Sequence, residues 1–454
     1  MQEPQQELTI QNEDAVQKLL GESKFEAVRR LLVKANAFDI ATLLEDVPPE
    51  QEAVLFRLLP KELAVDVFEH MEPEQQQRLL EGMSASGARD ILKGMSPDDR
   101  AALLEEVPAA VARRFVRYLP PVDRQQTLEL LGYEEGTAGR LMTPDFVDLR
   151  EGMTVADALQ RIRRMAMDRE TIYYCYVIDN QRRLRGTVSL RELVLAEPDT
   201  LVGPIATPNP KVVYTDMDQE EAARVLHDYD ILAAPVVDKE GRLVGIVTWD
   251  DMADIMQEET TEDIYRYGAV PGSERQYFGS SVLWAARNRA VWLLVLILLN
   301  TLTVAVISGQ ETLLVEFAIL GAFVPLLIAT GGNIGAQSST VVIRGLATGE
   351  IEIKRVASIL GREMIIGTIL GAGLGIVAIG WAYLLERDLS IAIIVALTMA
   401  STSTMAALVG GGLPFFFRAI RIDPAMASAP VVTTTMDVLG VTVYFLIARL
   451  ILQI

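Results

Sequence analysis

The sequence predicts a multidomain protein in which an all-α solenoid, an α/β tandem repeat, an acidic connecting helix and an all-α transmembrane domain of five helices follow one another. Three observations predict this fold class: a 12-residue repeat, a duplicated β-α-β-β-α pattern, and five long apolar stretches. A chain of 454 residues is too long for one core, which agrees with such a division. The predicted parts are residues 1–132, 138–200, 201–256, 257–280 and 281–454.

The charges are divided unevenly along the chain. Residues 1–280 contain 52 of the 61 acidic and 31 of the 41 basic residues, a balance of −21, whereas residues 281–454 have a balance of +1. An acidic surface repels a phosphate backbone, so nucleic acid is excluded as a partner and cations are favoured. One cysteine, Cys175, and two histidines make a poor soft-metal site, so any metal should be bound by oxygen. The sequence shows no phosphate-binding loop or nucleophile and base set, so we expect no enzymatic activity.

Turn signals recur every 12 residues between residues 40 and 131. Among them are VP at 47–48, LP at 59–60, MSP at 95–97 and LP at 119–120, each preceded by an apolar pair. Twelve residues allow one short helix and a turn, with Pro or Ser at the start of the next helix. Such helices stack into an α-solenoid, which is typical of a scaffold or a protein-binding surface.

The second duplication has a strand-rich pattern. TPDFVDLREGMTVADALQRI and TPNPKVVYTDMDQEEAARVL each open a copy, and each copy continues with two strands that turn at DNQRR or DKEGR. A final helix is opened by Ser189 in copy one and by Thr248 in copy two. The pattern resembles a pair of CBS domains over about residues 138–256, most specifically in the segments that begin at Gly186 and Gly245.

The CBS resemblance implies a ligand for the pair. Paired CBS domains often bind adenine nucleotides between the copies, commonly with an acidic residue after the segment that begins with glycine. Asp250 fits this position in copy two, and copy one has Arg191 followed by Glu192. ATP is therefore a candidate ligand, with Asp250 and Glu192 as its candidate binding residues.

The segment TWDDMADIMQEETTEDIYRYGAV predicts an acidic helix. Its carboxylates recur at spacings of three and four, and no basic residues at that spacing offset them. A solvated face is one interpretation. Divalent cations that bridge these carboxylates would relieve the repulsion and favour a compact arrangement, which is the alternative. Two further acidic clusters, Asp98 with Asp99 and DMDQEE with DYD, favour shared divalent sites.

Five apolar stretches after residue 281 are long enough to cross a membrane, which takes about 20 helical residues. They lie at about 284–307, 313–343, 356–384, 390–416 and 425–452. Short cytoplasmic connections collect Lys and Arg. Basic residues lie at the entry to the first stretch, around the second connection and in the fourth, so we expect a cytoplasmic amino terminus and an external carboxy terminus. The polar, acidic start MQEPQQELTI has no signal-peptide pattern, which agrees with this orientation in the cell membrane.

Spans two and five combine helix breakers with polar residues. Span two contains PLLIATGGNIGAQSST and span five contains PVVTTTMDVLG, so we expect both helices to be broken, as at ion sites of transporters. A carboxylate at the membrane centre costs roughly 2.5–3.5 kcal/mol, which marks Asp437 as a functional residue. Satisfaction by neighbouring hydroxyls or a small-residue helix contact is the structural alternative. Gly331, Gly332 and Asn333 form either a packing kink or a flexible backbone with an amide oxygen near an ion path.

The order of these parts resembles the MgtE family of magnesium channels or transporters over essentially the whole chain. The specific motifs are GRLMTPDFV at 139–147, TTEDIYRYGAV, TGGNIGAQSS and PVVTTTMDVLG. The resemblance implies a homodimer in the membrane with a pore on the two-fold axis, lined by spans two and five. It also implies that Asp437 of both subunits holds hydrated Mg2+, with Asn333, Gly331 and Thr433 nearby.

The resemblance further implies regulatory Mg2+ sites that fill at high internal Mg2+, draw the domains together and hold the connecting helix over the pore. The implied residues are Asp98, Asp99, Glu220, Asp230, Asp251, Asp254, Glu259, Glu262 and Asp263. Ala336 and Ala429 stand where the family would have asparagine, so ion selectivity is open. A less selective channel for Co2+, Mn2+ or Ni2+ is one alternative, and a membrane-anchored nucleotide sensor that moves no ion is the other.

Overall fold

The computed structural model describes residues 13–22, 24–166, 169–270, 281–426 and 429–453. It divides the chain into two compact units, Met1–Met256 and Gln257–Ile454, and each is described by itself. The parts of the predicted domains at residues 1–12 and 271–280 lie outside the described residues.

The first unit begins with short helices that repeat at the predicted period. Helices α3 to α10 begin at intervals of 12 residues, from Ala37 to Pro121, so the predicted solenoid is confirmed. Proline stands at the first position of four of these helices, where its missing N–H costs nothing. The apolar pairs, such as Leu43 with Leu44 and Val67 with Phe68, are buried in one continuous core. The helices are α1 (Glu13–Gly21), α2 (Phe25–Leu32), α3 (Ala37–Glu45), α4 (Pro49–Arg57), α5 (Lys61–Glu69), α6 (Pro73–Gly82), α7 (Ala85–Gly94), α8 (Pro97–Glu106), α9 (Ala109–Tyr118) and α10 (Pro121–Leu130).

The duplicated segment that follows forms two small sheets. Its elements are α11 (Ala138–Leu141), β1 (Asp148–Leu149), α12 (Val155–Met165), β2 (Tyr174–Ile178), β3 (Leu184–Ser189), α13 (Leu190–Leu195), α14 (Val202–Ile205), β4 (Thr207–Pro208), β5 (Val213–Tyr214), α15 (Gln219–Asp228), β6 (Ala233–Val237) and β7 (Leu243–Thr248). The strand orders are β1-β2-β3-β4 and β5-β6-β7. The predicted β-α-β-β-α pattern is therefore present twice.

The two copies complete each other's sheets. Strand β4, at the start of copy two, pairs antiparallel with β3 of copy one. Thr143, at the start of copy one, forms an antiparallel bridge with Ile246 of copy two. The buried Tyr176 hydroxyl donates a hydrogen bond to the Ala233 carbonyl at 2.9 Å across the interface. This exchange makes the pair one body.

One continuous helix, α16 (Trp249–Tyr267), contains both the last helix of copy two and the first half of the predicted connecting segment. The acidic residues of this segment therefore lie on one helix. The helix crosses the division between the two units, because unit one ends at Met256.

Among its described residues, the second unit contains five helices that are long and apolar enough to cross a membrane, as predicted. The helices of this unit are α17 (Val282–Ser308), the short α18 (Glu311–Glu316), α19 (Ile319–Ala347), α20 (Val356–Glu386), α21 (Leu389–Ala419) and α22 (Ala429–Leu452). Helix α21 lies against α19, α20 and α22, so it forms the centre of the bundle.

The prediction that spans two and five are broken helices was wrong. Helix α19 runs without interruption through Pro325, Gly331 and Gly332. Helix α22 begins at Ala429, so Pro430 falls in its first turn, where proline is tolerated, and the threonines continue the helix. An unbroken helix keeps its backbone hydrogen bonds inside the segment, which is the lowest-cost arrangement in lipid.

Candidate ion pathway and carboxylate cluster

Asp437 lies half-buried in the middle of α22. The neighbouring threonines bond within the helix: Thr433 donates to the Pro430 carbonyl at 3.0 Å, and Thr435 donates to the Val431 carbonyl at 2.8 Å. Within the described part of the chain, the Asp437 carboxylate has no hydrogen-bond donor or ion-pair partner. Satisfaction by neighbouring hydroxyls is therefore not what keeps this carboxylate in the helix.

The glycines of α19 form its contact with α22. A Cβ atom at Gly332 would lie 3.0 Å from the Thr433 methyl carbon, and one at Gly331 would lie 3.6 Å from the Met436 Cε. Gly331, Gly332 and Thr433 are thus packing residues of one helix contact. Asn333 lies off this contact and is exposed in the single chain. Because Asp437 follows Thr433 by one helical turn, it lies close to the level of this contact on α22.

A single chain supplies too few ligands for a complete ion site here. Across the described residues, no group of three or more His, Cys, Asp or Glu side chains is arranged to hold a metal ion. The Asn333 amide likewise has no hydrogen-bond partner among those residues. The two predicted pore groups, Asp437 and Asn333, therefore lie on neighbouring membrane helices. Neither side chain has a partner among the described residues.

The carboxyl end of α16 contacts the membrane helices within the second unit. The Tyr267 hydroxyl lies 2.6 Å from the Thr340 hydroxyl and donates to the Ala336 carbonyl at 3.0 Å, both on α19. Arg266 forms an ion pair with Asp423, in the connection between α21 and α22, and a second one with Glu262 of its own helix. Sequence reasoning missed Arg266 and Tyr267, although a basic residue directly after an acidic stripe was a visible signal.

The first unit contains a cluster of carboxylates from four segments of the chain. Asp98 and Asp99 lie in the first turn of α8, and Asp251 lies in the first turn of α16. The structure adds two residues that the sequence did not single out, Glu69 at the end of α5 and Glu170 before β2. These five carboxylates influence one another's pKa.

The electrostatics of this cluster are unfavourable for negative charge. Burial and the neighbouring Asp99 carboxylate raise the pKa of Glu69 to about 7. Desolvation of its carboxyl group and the nearby Asp251 raise the pKa of Glu170 to about 7. The pKa values of Asp98 and Asp251 are also raised, in both cases chiefly by burial; the next cause is the Asp99 carboxylate for Asp98 and the Asp98 carboxylate for Asp251. Cations or protons are therefore needed to keep the cluster together at neutral pH.

Asp98 carries an orphaned buried atom. Its Oδ1 has no hydrogen-bond partner among the described residues, whereas Ser96 donates to Asp99 at 2.8 Å and Thr248 donates to Asp251. A buried, unpartnered carboxylate oxygen costs free energy unless a ligand fills the position. The donor set here consists of oxygens alone, which is the ligand type that Mg2+ prefers, although no three of these described carboxylates are arranged to hold an ion in this form.

The other predicted regulatory residues are spread out. Glu220 lies in the first turn of α15, where it pairs with Arg224 at 2.9 Å, and Asp230 lies beyond the other end of that helix. The structure therefore does not bring these two together within one chain. Asp254, Glu259 and Asp263 lie along α16 with the predicted spacing. Their role as metal ligands stays a prediction.

The nucleotide candidates occupy non-equivalent positions. Glu192 completes a capping box with Ser189, three residues earlier. Thr248 bonds Asp251 in the same way, so the equivalent of Glu192 in copy two is Asp251 and not Asp250. Nucleotide binding by Glu192 and Asp250 stays a prediction.

Comparisons with known proteins agree with each part of this architecture. Residues 324–447 match the MgtE family, described as a divalent cation transporter, residues 35–136 match the MgtE intracellular N domain, and residues 138–199 and 202–258 match the CBS domain. The Magnesium transporter MgtE of Thermus thermophilus is 41% identical over 97% of this chain and 98% of that protein. The protein of the same name from Enterococcus faecalis is 35% identical over 72% of this chain and 71% of that protein.

Solved structures match the first unit. A crystal structure of the cytosolic domain of the Mg2+ channel MgtE in complex with ATP is 43% identical, with a TM-score of 0.52, and covers 54% of this chain and 99% of that one. The soluble part of a magnesium transporter is 30% identical, also with a TM-score of 0.52, over 55% of this chain and 98% of that one.

Five apolar helices with a partnerless carboxylate, joined to a helical repeat and a CBS pair, define a multi-pass membrane protein of the divalent cation transporter class. The sequence identity with the Thermus protein over nearly the full length assigns the chain to one family within this class. The chain belongs to the MgtE family.

Proposed function

We propose that the protein carries Mg2+ across the cell membrane into the cytoplasm, and that Mg2+ bound to its carboxylate cluster closes the pathway. The observation that carries the proposal is Asp437, a half-buried carboxylate on a membrane helix with no partner among the described residues. A charge in that position is costly, and a cation from solution is the partner that offsets the cost.

The ion chemistry supports Mg2+ as the cargo. Mg2+ gives up its waters reluctantly and is often held through one or two carboxylates. One chain supplies one Asp437, and a homodimer with its axis beside α19 and α22 would supply two. Two polar residues that are exposed on α19 in the single chain, Asn333 and Gln337, would then face the same path.

The proposed gate uses two contacts of α16, one within each unit. At its amino end, Asp251 belongs to a carboxylate cluster that repels itself without a cation. At its carboxyl end, Tyr267 bonds α19, the helix that carries Asn333. Filling the cluster with Mg2+ would favour the compact first unit and keep Tyr267 and Arg266 on the membrane helices. Mg2+ shifts this equilibrium only through its higher affinity for the closed form.

The orientation and selectivity are part of the proposal. We infer a cytoplasmic amino terminus from the basic connections. Ala336 and Ala429 leave fewer polar groups along the path, so passage of Co2+, Mn2+ or Ni2+ is the competing function. ATP is a further proposed ligand of the CBS pair, supported by the relative whose cytosolic domain structure contains ATP.

The test is Mg2+ entry into liposomes that contain the purified chain and an internal fluorescent indicator. We expect entry when internal Mg2+ is low and little entry when the liposomes are preloaded with Mg2+. Asp437→Ala should reduce the entry rate by at least about tenfold, since it removes the ion's charged ligand. Asp388→Asn, which changes a carboxylate at the amino end of α21, is the matched control and should conduct normally.

Absence of flux in the parent protein would contradict the proposal and favour the membrane-anchored nucleotide sensor. Flux that is unchanged in Asp437→Ala would show that this carboxylate is structural. Equal rates for Mg2+, Co2+, Mn2+ and Ni2+ would replace a magnesium transporter by a general divalent channel.

A further inference from the structure

One concave surface of the CBS pair collects arginines in a part of the chain that is otherwise acidic. A cavity of about 200 Å³ is lined by Arg150, Arg169 and Arg182, with Phe146 and Ile178 as its apolar wall. Arg150 follows β1, Arg169 precedes β2, and Arg182 lies in the turn between β2 and β3. Three separate segments of copy one therefore bring guanidinium groups to one place.

Two of these guanidinium groups are held by neutral backbone atoms. Arg150 Nη1 donates to the carbonyls of Ile178, at 3.3 Å, and Asp179. Arg182 Nη2 donates to the Leu243 carbonyl at 3.4 Å. A carbonyl group orients a guanidinium without neutralising its charge. Each group also keeps further N–H donors for a ligand.

The nearby carboxylates are already paired, one with an arginine outside the cavity and the other with Arg169 of the cavity itself. Asp148, which lines the cavity, binds Arg161 at 2.5 Å, and Asp145 binds Arg169 at 2.6 Å. Within the part of the chain that the structure describes, Arg150 and Arg182 have no carboxylate partner. The cavity thus has an excess of positive charge, although residues 1–280 have a net charge of −21.

We propose that this cavity is an anion site for a phosphate or pyrophosphate group. Guanidinium groups bind phosphate oxygens in a bidentate way, and fixed donors lose little entropy on binding. A volume of about 200 Å³ is below the roughly 300–1,000 Å³ of pockets that hold drug-sized ligands, so it fits the phosphate part of a ligand and not a whole nucleotide. Neither Glu192 nor Asp250, the candidates for nucleotide binding, lines the cavity.

Calorimetric titration of the full-length protein in detergent tests this site, with inorganic pyrophosphate as the probe in a buffer free of phosphate and divalent ions. The parent should bind pyrophosphate saturably. Arg150→Gln/Arg182→Gln should weaken binding by about tenfold or more, because charge-assisted bonds are the strongest contacts available here. Arg163→Gln, an exposed arginine of α12 outside the cavity, removes the same charge and should change the affinity by less than about twofold.

The proposal is overturned if the parent does not bind pyrophosphate, or if the double variant binds it as the parent does while melting at the same temperature. Titration with ATP distinguishes the sources of the phosphate group. Loss of ATP affinity in both the double variant and Glu192→Gln supports a nucleotide whose phosphates occupy the arginines. Unchanged ATP affinity with weakened pyrophosphate binding supports a smaller phosphate compound.

Discussion

The hydroxyl groups of Tyr267 and Thr340 lie 2.6 Å apart, although 73 residues separate them in the sequence. This contact joins the end of the acidic helix α16 to α19, the membrane helix that carries Asn333. Together with the ion pair between Arg266 and Asp423, it fixes the end of α16 on the membrane helices of the second unit.

Tyr267→Phe should raise Mg2+ entry into liposomes preloaded with Mg2+. The substitution removes both hydrogen bonds of the hydroxyl, each of which contributes roughly 0.5–1.5 kcal/mol, and keeps the ring. We expect the residual flux of the closed form to increase several-fold, with little change when internal Mg2+ is low. Tyr265→Phe, which removes a neighbouring hydroxyl from the same helix, is the control. Equal behaviour of the two variants would count against Tyr267 as a gate contact.

Arg266→Glu should also raise Mg2+ entry into preloaded liposomes. A second charge reversal, Asp423→Arg, should restore closure. Arg266→Glu places a carboxylate beside Asp423 and Glu262, so the closed form should lose roughly 1 kcal/mol, or about fivefold in its ratio to the open form. Arg266→Glu/Asp423→Arg restores an opposite pair and should recover most of the closure. Independent effects of the two substitutions on flux would show that the pair does not couple.

The stability of the magnesium-free protein should depend on pH. The pKa values of Glu69 and Glu170 are raised from 4.5 to about 7, so the folded first unit binds protons more tightly than the unfolded chain. The stability from this protonation is fully present below pH 4.5 and is lost as the pH rises through 7. The melting temperature in detergent should therefore fall over this range without divalent ions, and Mg2+ should reduce the fall. A melting temperature that rises towards pH 8 would contradict this assignment.

Asp98→Asn should separate the destabilisation caused by the buried carboxylates from their contribution to Mg2+ binding. The substitution removes one buried charge whose Oδ1 has no partner, so the magnesium-free protein should melt at a higher temperature above pH 7. Addition of Mg2+ should raise the melting temperature of this variant by less than that of the parent, because one ligand is lost. Asp90→Asn, on the exposed surface of α7, is the control and should leave the Mg2+-dependent gain unchanged.

Gly410→Ala should disrupt the membrane bundle. A Cβ atom at this position would lie 2.0 Å from the Gly335 carbonyl oxygen, and neither backbone can move away alone. We expect loss of the monodisperse, detergent-solubilised protein in size-exclusion chromatography. Gly412→Ala, where the nearest atom would be a Leu360 methyl carbon at 3.8 Å, should remain folded because that distance is an ordinary contact. Survival of both variants would mean that α19 and α21 separate easily.

The elements of the fold were readable from the sequence because their signals are local. The 12-residue spacing of turns fixed the starts of helices from Ala37 to Pro121, and the length of the apolar stretches predicted five spanning helices. Asp437 was singled out by one property, a charge within an apolar stretch. Each of these signals comes from residues that lie within about one helix length of each other in the sequence. They can therefore be recognised without knowing how the helices pack.

The convergence of distant side chains was decided by the tertiary structure alone. Glu69 and Glu170 belong to the carboxylate cluster because the solenoid and the CBS pair place them beside Asp99 and Asp251. Asp99 and Asp251 themselves are more than 150 residues apart in the sequence. Gly331 and Gly332 were predicted to break α19, but their small size is used in the contact with Thr433 and Met436. A glycine has the same sequence signature in a break and in a close helix contact, and only the neighbouring helix distinguishes the two.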